Sequence, residues 1–147
     1  MPNEMNSSMR RDKLSPEQRS ALMAKVRGQD TKPEEVVRKE LFQRGIRYRK
    51  NVKTLPGKPD LVLPKYRAVV FVHGCFWHQH PDCPEAVRPQ SRQEYWEAKL
   101  NRNMERDALN TEKLQELGWR VLVVWECELR PSRRGQTIER LVENLRL

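Results

Sequence analysis

All three histidines of this 147-residue chain, and two of its three cysteines, fall within His73-Gly74-Cys75-Phe76-Trp77-His78-Gln79-His80-Pro81-Asp82-Cys83. Cys75-x4-His80-x2-Cys83 places three ligands at zinc spacing, and Cys127 supplies a fourth. Four such ligands complete a tetrahedral shell with no position left for substrate, so the predicted role is structural. Spacing alone also admits His78 in place of His80. His80 is preferred because His78 follows an aromatic and is then free for other chemistry. A closed shell would order an otherwise loose loop, since metal-binding energy becomes folding energy. The plainer alternative for Cys127 is an ordinary buried thiol.

His73 and His78 are then unspent. An imidazole titrates close enough to neutrality to take a proton from water and later return one, so the two form a candidate acid–base pair. Asp60 ends the tight turn Pro56-Gly57-Lys58-Pro59-Asp60 and opens a strand beside the one that runs into His73. A carboxylate there could hold a hard cation such as Mg²⁺, which takes one or two carboxylates and shares its remaining positions with water and phosphate oxygens. It could equally satisfy turn backbone, a common use of Asp. Glu34 already has structural work as the last residue of a Thr31-x-x-Glu34 capping box. Phe76, Trp77 and, further on, Trp96 are large rings near a basic, histidine-rich loop. Rings so placed can wedge between stacked bases and kink a duplex, although core packing is the usual fate of a lone Trp such as Trp96.

The elements that must position these groups can be read from periodicity. Residues 1–14 are polar, basic and aperiodic, and read as a flexible arm ahead of one domain, 15–147. Ser15-Pro16-Glu17-Gln18 starts a helix that carries Leu22, Met23 and Val26 and stops at Gly28. A second helix opens at Thr31, turns Val37 and Leu41 inward and stops at Gly45. Ile46–Val52 alternates as a half-exposed strand would, and Leu61-Val62-Leu63 follows the Asp60 turn. Ala68–Val72 is apolar at every position, as expected of a central strand buried on both faces. Ser91-x-x-Glu94 predicts a long charged helix to about Leu117 that buries Trp96, Leu100, Leu114 and Leu117. Trp119–Trp125 reads as a second buried strand whose alternate residues lead to Cys127, and Thr137–Leu145 as a last short helix. This order of elements indicates an α/β layered fold around a small mixed sheet.

Composition narrows the partner. The net charge is +9 and the pI about 9.8, and Met1–Asn51 holds 13 Lys/Arg against 7 Asp/Glu. Concentrated positive charge points to a polyanion, with nucleic acid the default. No long basic amphipathic helix favours a membrane surface, and no apolar run nears the ~18 residues of a membrane span. The polar start lacks the apolar stretch of an export signal. With an odd cysteine count, this sets the expectation of a reducing, cytoplasmic location.

Four strings, taken together, are specific. Pro56-Gly57-Lys58-Pro59-Asp60, Val70-Phe71-Val72-His73-Gly74-Cys75-Phe76-Trp77-His78, Glu105-Arg106-Asp107 and Leu114–Cys127 closely resemble the very-short-patch repair (Vsr) DNA mismatch endonucleases. The likeness runs from about Ser15 to Cys127. It implies a restriction-endonuclease-like three-layer α/β/α fold with a central mixed sheet and a structural zinc site. It also implies a Mg²⁺-dependent enzyme that nicks double-stranded DNA 5′ of the T in a T:G mismatch left by 5-methylcytosine deamination. By the same resemblance Asp60 matches the metal-binding Asp, His73 and His78 the active-site histidines, and Glu34 a supporting carboxylate. Cys75, His80, Cys83 and Cys127 match the zinc ligands. Phe76, Trp77 and Trp96 match the intercalating aromatics, while Met23 and the N-terminal arm would grip DNA. Val72 stands where the family often has Thr, so a Mg²⁺ ligand at that position would act through its backbone carbonyl. The spacer between His80 and Cys83 is one residue longer than the family pattern. Mismatch-repair and excision-repair proteins would be partners, and a monomer at the bacterial nucleoid is the default, because a lone mismatch offers no two-fold symmetry. Two rival readings remain open from the residues: a zinc-stabilised DNA-binding module without catalysis, and a nicking nuclease for other damaged or structured DNA.

Overall fold

The computed structural model describes residues 32–147. The expected arm 1–14, the helix from Ser15 to Gly28 and Met23 lie outside the described residues. The first described helix, α1, spans Lys32–Gln43, with Glu34 and Glu35 in its first turn, where negative charge meets the positive end of the helix dipole. Val37 and Leu41 are fully buried, as their spacing predicts. The helix stops at Gly45, whose φ of 81° only glycine adopts without penalty. The N–H groups of Gly45 and Ile46 then reach back to Phe42 O and Leu41 O, each at 3.0 Å.

Four strands follow in spatial order β1-β2-β3-β4: β1 (Arg49–Lys50), β2 (Leu61–Leu63), β3 (Ala68–His73) and β4 (Arg120–Trp125). The first two pairings are antiparallel, and β3 and β4 run parallel in a register from Ala68↔Arg120 to His73↔Trp125. A parallel pair needs a crossover connection, here the long helix α2, Gln93–Glu116. The last helix, α3, spans Pro131–Leu145.

The pleat sends alternate strand residues to opposite faces. Leu61, Leu63, Ala68, Val70 and Val124 pack against Val37 and Leu41 of α1 and Ile138, Leu141, Val142 and Leu145 of α3. Val62 and Val69, with Phe71 and Val121, turn the other way onto Leu114 of α2. The result is an α/β sandwich of three layers with a mixed sheet at its centre. No helix among the described residues is long and apolar enough to cross a membrane.

Several boundaries differ from expectation, each for a local reason. The strand predicted over Ile46–Val52 shrinks to Arg49–Lys50, because Asn51 turns left-handed (φ 56°) after a last bond from its N–H to Asp60 O. Ser91 does not cap α2. The chain enters that helix through Arg92 in a left-handed conformation (φ 57°), with no side-chain cap. Leu117 is 54% exposed, because Gly118 ends the helix before that residue can turn inward. The strand predicted as buried, β4, lies at one edge of the sheet among the described residues, and its Val123 is exposed. Finally, α3 starts at Pro131, six residues before the predicted Thr137, with proline in the first turn, where its missing N–H costs nothing.

Candidate active site and metal centre

The end of β3 and the start of β2 lie side by side, because these strands are antiparallel with Leu61 opposite Val70. Asp60, the residue before β2, therefore reaches the last turn of β3. Its Oδ2 accepts the Val72 N–H at 2.6 Å, so a side chain takes the place of the next ladder bond. Below it lies the first turn of α1, where buried Glu34 pairs with buried Arg38 at 3.8 Å. Burial, and then the neighbouring Glu34, push the Asp60 carboxyl up to about 7, against the opposing pull of the Val72 N–H and Arg38. A buried acidic pair of this kind favours either a proton or a cation, and its hard oxygens suit Mg²⁺.

His73 ends β3 on the face turned towards α2. The chain then coils: His78 N–H donates to Gly74 O at 3.1 Å, and His80 N–H donates to Cys75 O at 2.9 Å. Gln79, between the two histidines, takes a left-handed φ of 51° and latches the coil by donating to Phe76 O and Ala86 O. The two imidazoles are sent to different tasks. His78 lies flat on His73, with ring centroids 3.8 Å apart and planes 4° from parallel, and its Nδ1 is 2.6 Å from Asp107 Oδ2 of α2. His80 Nδ1 instead lies 3.6 Å from Cys75 Sγ and 3.5 Å from Cys127 Sγ.

Among the described residues, two groups of side chains bring their donor atoms within 4.8 Å of one another: Cys75, His80, Cys83 and Cys127, and separately His73, His78 and Asp107. Only the first has the chemistry of a closed chelate. A ligating imidazole offers its lone pair in the ring plane, and two parallel stacked rings cannot aim both lone pairs at one ion. In the cysteine group, burial first, and then the adjoining Cys127 and Cys83 thiols, push the Cys75 thiol up to about 12. Three sulfurs and one imidazole so crowded fit a cation of zinc's softness. Between His80 and Cys83 the chain turns through a left-handed Asp82 (φ 56°). Cys127 emerges on the Glu126–Leu129 turn, just past the end of β4 and not on the strand itself.

The Asp60 and histidine groups border one cleft of about 730 Å³ lined by Glu34, Asp60, Val72, His73, His78 and Asp107, with Lys53, Lys58 and Arg106 among its walls. The cysteine group lies outside that lining, on the far side of the same loop. The aromatic triad is largely buried. Trp77 is 4% exposed and Trp96 1%, packed with Leu100 into a small core, and only Phe76 keeps an accessible part. The two indoles are buried against each other, the core packing that a lone Trp such as Trp96 usually finds, and they support Phe76 edge-on at 5.3 and 5.5 Å.

Reading by residue type missed Asp107, Asn103 and Asn110, although a signal was present. Trp96, Leu100, Asn103, Asp107, Asn110 and Leu114 follow one another at helical spacings of four and three. They form a single inward stripe of α2, and that stripe turns polar where it passes the cleft. Asn103, itself buried, donates from Nδ2 to Trp77 O at 3.2 Å and ties the helix to the histidine loop.

Sequence comparison agrees with this assembly. Residues 11–85 match the family model described as DNA mismatch endonuclease Vsr. The chain is 45% identical over 127 residues, 86% of its length, to the DNA mismatch endonuclease Vsr of Escherichia coli, covering 80% of that protein. It is 49% identical over 119 residues to the type II nicking enzyme V.NmeAIP of Neisseria meningitidis, covering 81% of this chain and 84% of the relative. Against the type II nicking enzyme V.XorIIP of Xanthomonas oryzae the identity is 50% over 118 residues, 80% of this chain and 86% of the relative. With a family match over half the chain and this identity over most of it, the chain belongs to the Vsr family of DNA mismatch endonucleases.

Proposed function

We propose that this protein nicks one strand of double-stranded DNA 5′ of the T in a T:G mismatch, the break that opens very-short-patch repair after 5-methylcytosine deamination. The observation that carries the reading is the meeting, in one cleft, of the Asp60 carboxylate with the His73–His78–Asp107 array. The three-layer sandwich then serves as a restriction-endonuclease-like core, and its proton-transfer work would fall to the histidines.

Asp60 and the Val72 backbone carbonyl would hold Mg²⁺, with Glu34 behind them as the supporting carboxylate. Bound there, Mg²⁺ supplies charge neutralisation at the scissile phosphate and at the leaving oxygen. His78 is the favoured base for the attacking water. An ionised Asp107 accepts a hydrogen from Nδ1, which leaves the Nε2 lone pair free to take a proton. His73, stacked on His78, holds that ring in place and is the alternative base. Lys53, Lys58 and Arg106, from opposite walls, offset the charge of flanking phosphates.

Cys75, His80, Cys83 and Cys127 would hold a structural Zn²⁺ that fixes the loop bearing both imidazoles. Phe76, backed by Trp77 and Trp96, is the ring best placed to enter the base stack. Unstacking costs a few kcal/mol per step and least where pairing is already defective, which is one source of selectivity for a mismatch. Met23 and the N-terminal arm would add grip on the backbone. We take the enzyme to act as a cytoplasmic monomer, handing its nicked product to mismatch-repair and excision-repair proteins.

The test is a Mg²⁺-dependent nicking assay on paired duplexes that differ only in a central T:G or C:G, set in several sequence contexts. Cutting of the T strand alone, lost in Asp60→Ala while binding persists, is the expected result. Tight, salt-sensitive binding with no cut in any context would leave a zinc-stabilised binding module. Cutting indifferent to the T:G pair would leave a nuclease for other DNA lesions.

A further inference from the structure

Between the cysteine group and the cleft stands one side chain that neither includes. Trp125, the last residue of β4, is the register partner of His73 across the parallel pair. Its indole meets His73 edge-on at 5.2 Å, with 69° between the planes. The same indole lies nearly parallel to His80, 4.2 Å away and 10° from parallel. His73 in turn lies on His78, which is held by Asp107. An unbroken run of rings therefore leads from a zinc-type ligand to the proposed base: His80, Trp125, His73, His78.

We infer that Trp125 is a positioning residue for the nicking reaction, transmitting the fixed orientation of metal-bound His80 to the His73–His78 stack. The inference rests on the nuclease reading above. Its physical basis is the rigidity of each link. A zinc-bound imidazole cannot tilt its plane off the metal without losing its in-plane lone pair, and ligation through Nδ1, next to the ring's attachment to Cβ, blocks rotation about the metal bond. Offset and edge-to-face ring contacts have preferred geometries, and the Trp125 backbone is pinned twice. It is pinned by the β3 register and by Glu128, whose Oε1 accepts its N–H at 3.1 Å. On the cleft side, the Asp107 bond and the His73 face define the plane of His78 among the described residues. A tilt of His73, whose ring also meets Phe71 at 5.5 Å, would pass directly to the base. Small errors of placement are expensive in such a site, with a displacement of about 1 Å costing on the order of a hundredfold in rate.

The sequence offers a simpler reading, in which Trp125 is merely a large ring filling space under the loop. The two readings differ in what Trp125→Leu does when zinc stays bound. The experiment compares wild type, Trp125→Phe and Trp125→Leu, each purified with zinc and assayed for metal content, DNA affinity, single-turnover nicking rate and the side-chain NMR signals of the histidines. Transmission through Trp125 predicts one zinc per chain and unchanged DNA affinity in all three proteins. It predicts nicking slowed about tenfold to a hundredfold in Trp125→Leu, with Trp125→Phe largely restored. The signal of His78, one ring removed from the substitution, should shift or broaden in Trp125→Leu and return in Trp125→Phe.

Nicking by Trp125→Leu at the wild-type rate would overturn the inference. So would loss of zinc and activity together, since Trp125 would then serve only the metal shell. Should Trp125→Leu fail to fold, Trp125→Phe decides alone: it must keep zinc and a wild-type His78 signal, and a displaced one would refute ring-to-ring transmission. Failure of the nuclease reading shows separately, as absence of nicking in the wild-type protein, and the His78 signal then still decides whether the ring run holds that imidazole.

Discussion

His78 Nδ1 and Asp107 Oδ2 lie 2.6 Å apart across 29 residues of sequence, joining the loop after β3 to the middle of α2. The bond decides which nitrogen of His78 is available. A carboxylate can only accept, so it keeps hydrogen on Nδ1 and leaves Nε2 basic. Asp107→Asn should preserve the shape of the contact but can present its NH₂ to Nδ1 and favour the opposite tautomer. We expect nicking to fall about a hundredfold or more, the scale of general base catalysis, with DNA affinity unchanged. A rate within twofold of wild type would remove Asp107 from the mechanism.

Asp60 gives a pH signature that can be read without any substrate. In the metal-free protein its carboxyl is raised from 3.8 to about 7, so the folded state holds a proton that the unfolded state has released. The sign follows: Asp60 contributes stability that is present below about pH 4 and is lost as pH rises towards 7. Asp60→Asn keeps an acceptor for the Val72 N–H but has no proton to lose. Its stability relative to wild type should therefore grow between those limits, by on the order of 2–4 kcal/mol. Saturating Mg²⁺ should favour the ionised wild-type carboxylate and shrink the gap. Denaturant titrations at pH 4, 6 and 8 check this, and a gap independent of pH contradicts it.

The parts of the molecule that were legible in the sequence share a reason. The run Ala68–Val72 is apolar at every position, Gly45 marks a stop that demands left-handed backbone, and rare residue types crowd into the stretch from His73 to Cys83. Each signal is local and uncommon. The parts that were not legible depend on distant neighbours. Asp107 is one carboxylate on a helix crowded with charge; the resemblance includes the string Glu105-Arg106-Asp107 but assigns it no role, and by residue pattern the polar interruption of the stripe Trp96–Leu114 sets it apart. Ser91 looks like a cap, but the tertiary path sets Arg92 left-handed and overrides it. Thr137 looks like a helix start because the residues before it are polar. In the fold its hydroxyl bonds Glu128 O from inside a helix already begun. Trp125 reads as strand core until the register places it against His73.

The cysteine group makes a prediction about metal removal. Chelation, or Cys127→Ser, should release about one zinc per chain and loosen the segment from Gly74 to Arg88. The bonds of Gln79 and Arg88, with the Asn103–Trp77 and His78–Asp107 ties to α2, would then have to hold that segment without the metal. Hydrogen exchange should rise there and at Glu126–Leu129 while β2, the Ala68–Val70 part of β3 and α3 stay protected. Uniform loss of protection would mean that the metal supports the whole domain and not this loop.

Gly57 offers the last test, of how the Asp60 turn is seated. Its φ is 75°, and a Cβ there would stand 3.0 Å from Asn110 Cβ and 3.1 Å from Phe71 Cζ. The turn thus lies directly on α2 and β3, and both of its functional neighbours, Lys58 and Asp60, border the cleft from that seat. Alanine would meet backbone strain and a wall of atoms together, and neither a helix nor a central strand yields easily. We expect Gly57→Ala to destabilise the fold by about 1–3 kcal/mol. It should also displace Asp60 from the histidines, so that nicking falls more than stability alone explains when assayed well below the melting temperature. Thermal melts paired with single-turnover rates separate the two effects. Full activity in a destabilised variant would show that Asp60 is held by Val72 and the start of β2 without help from the turn.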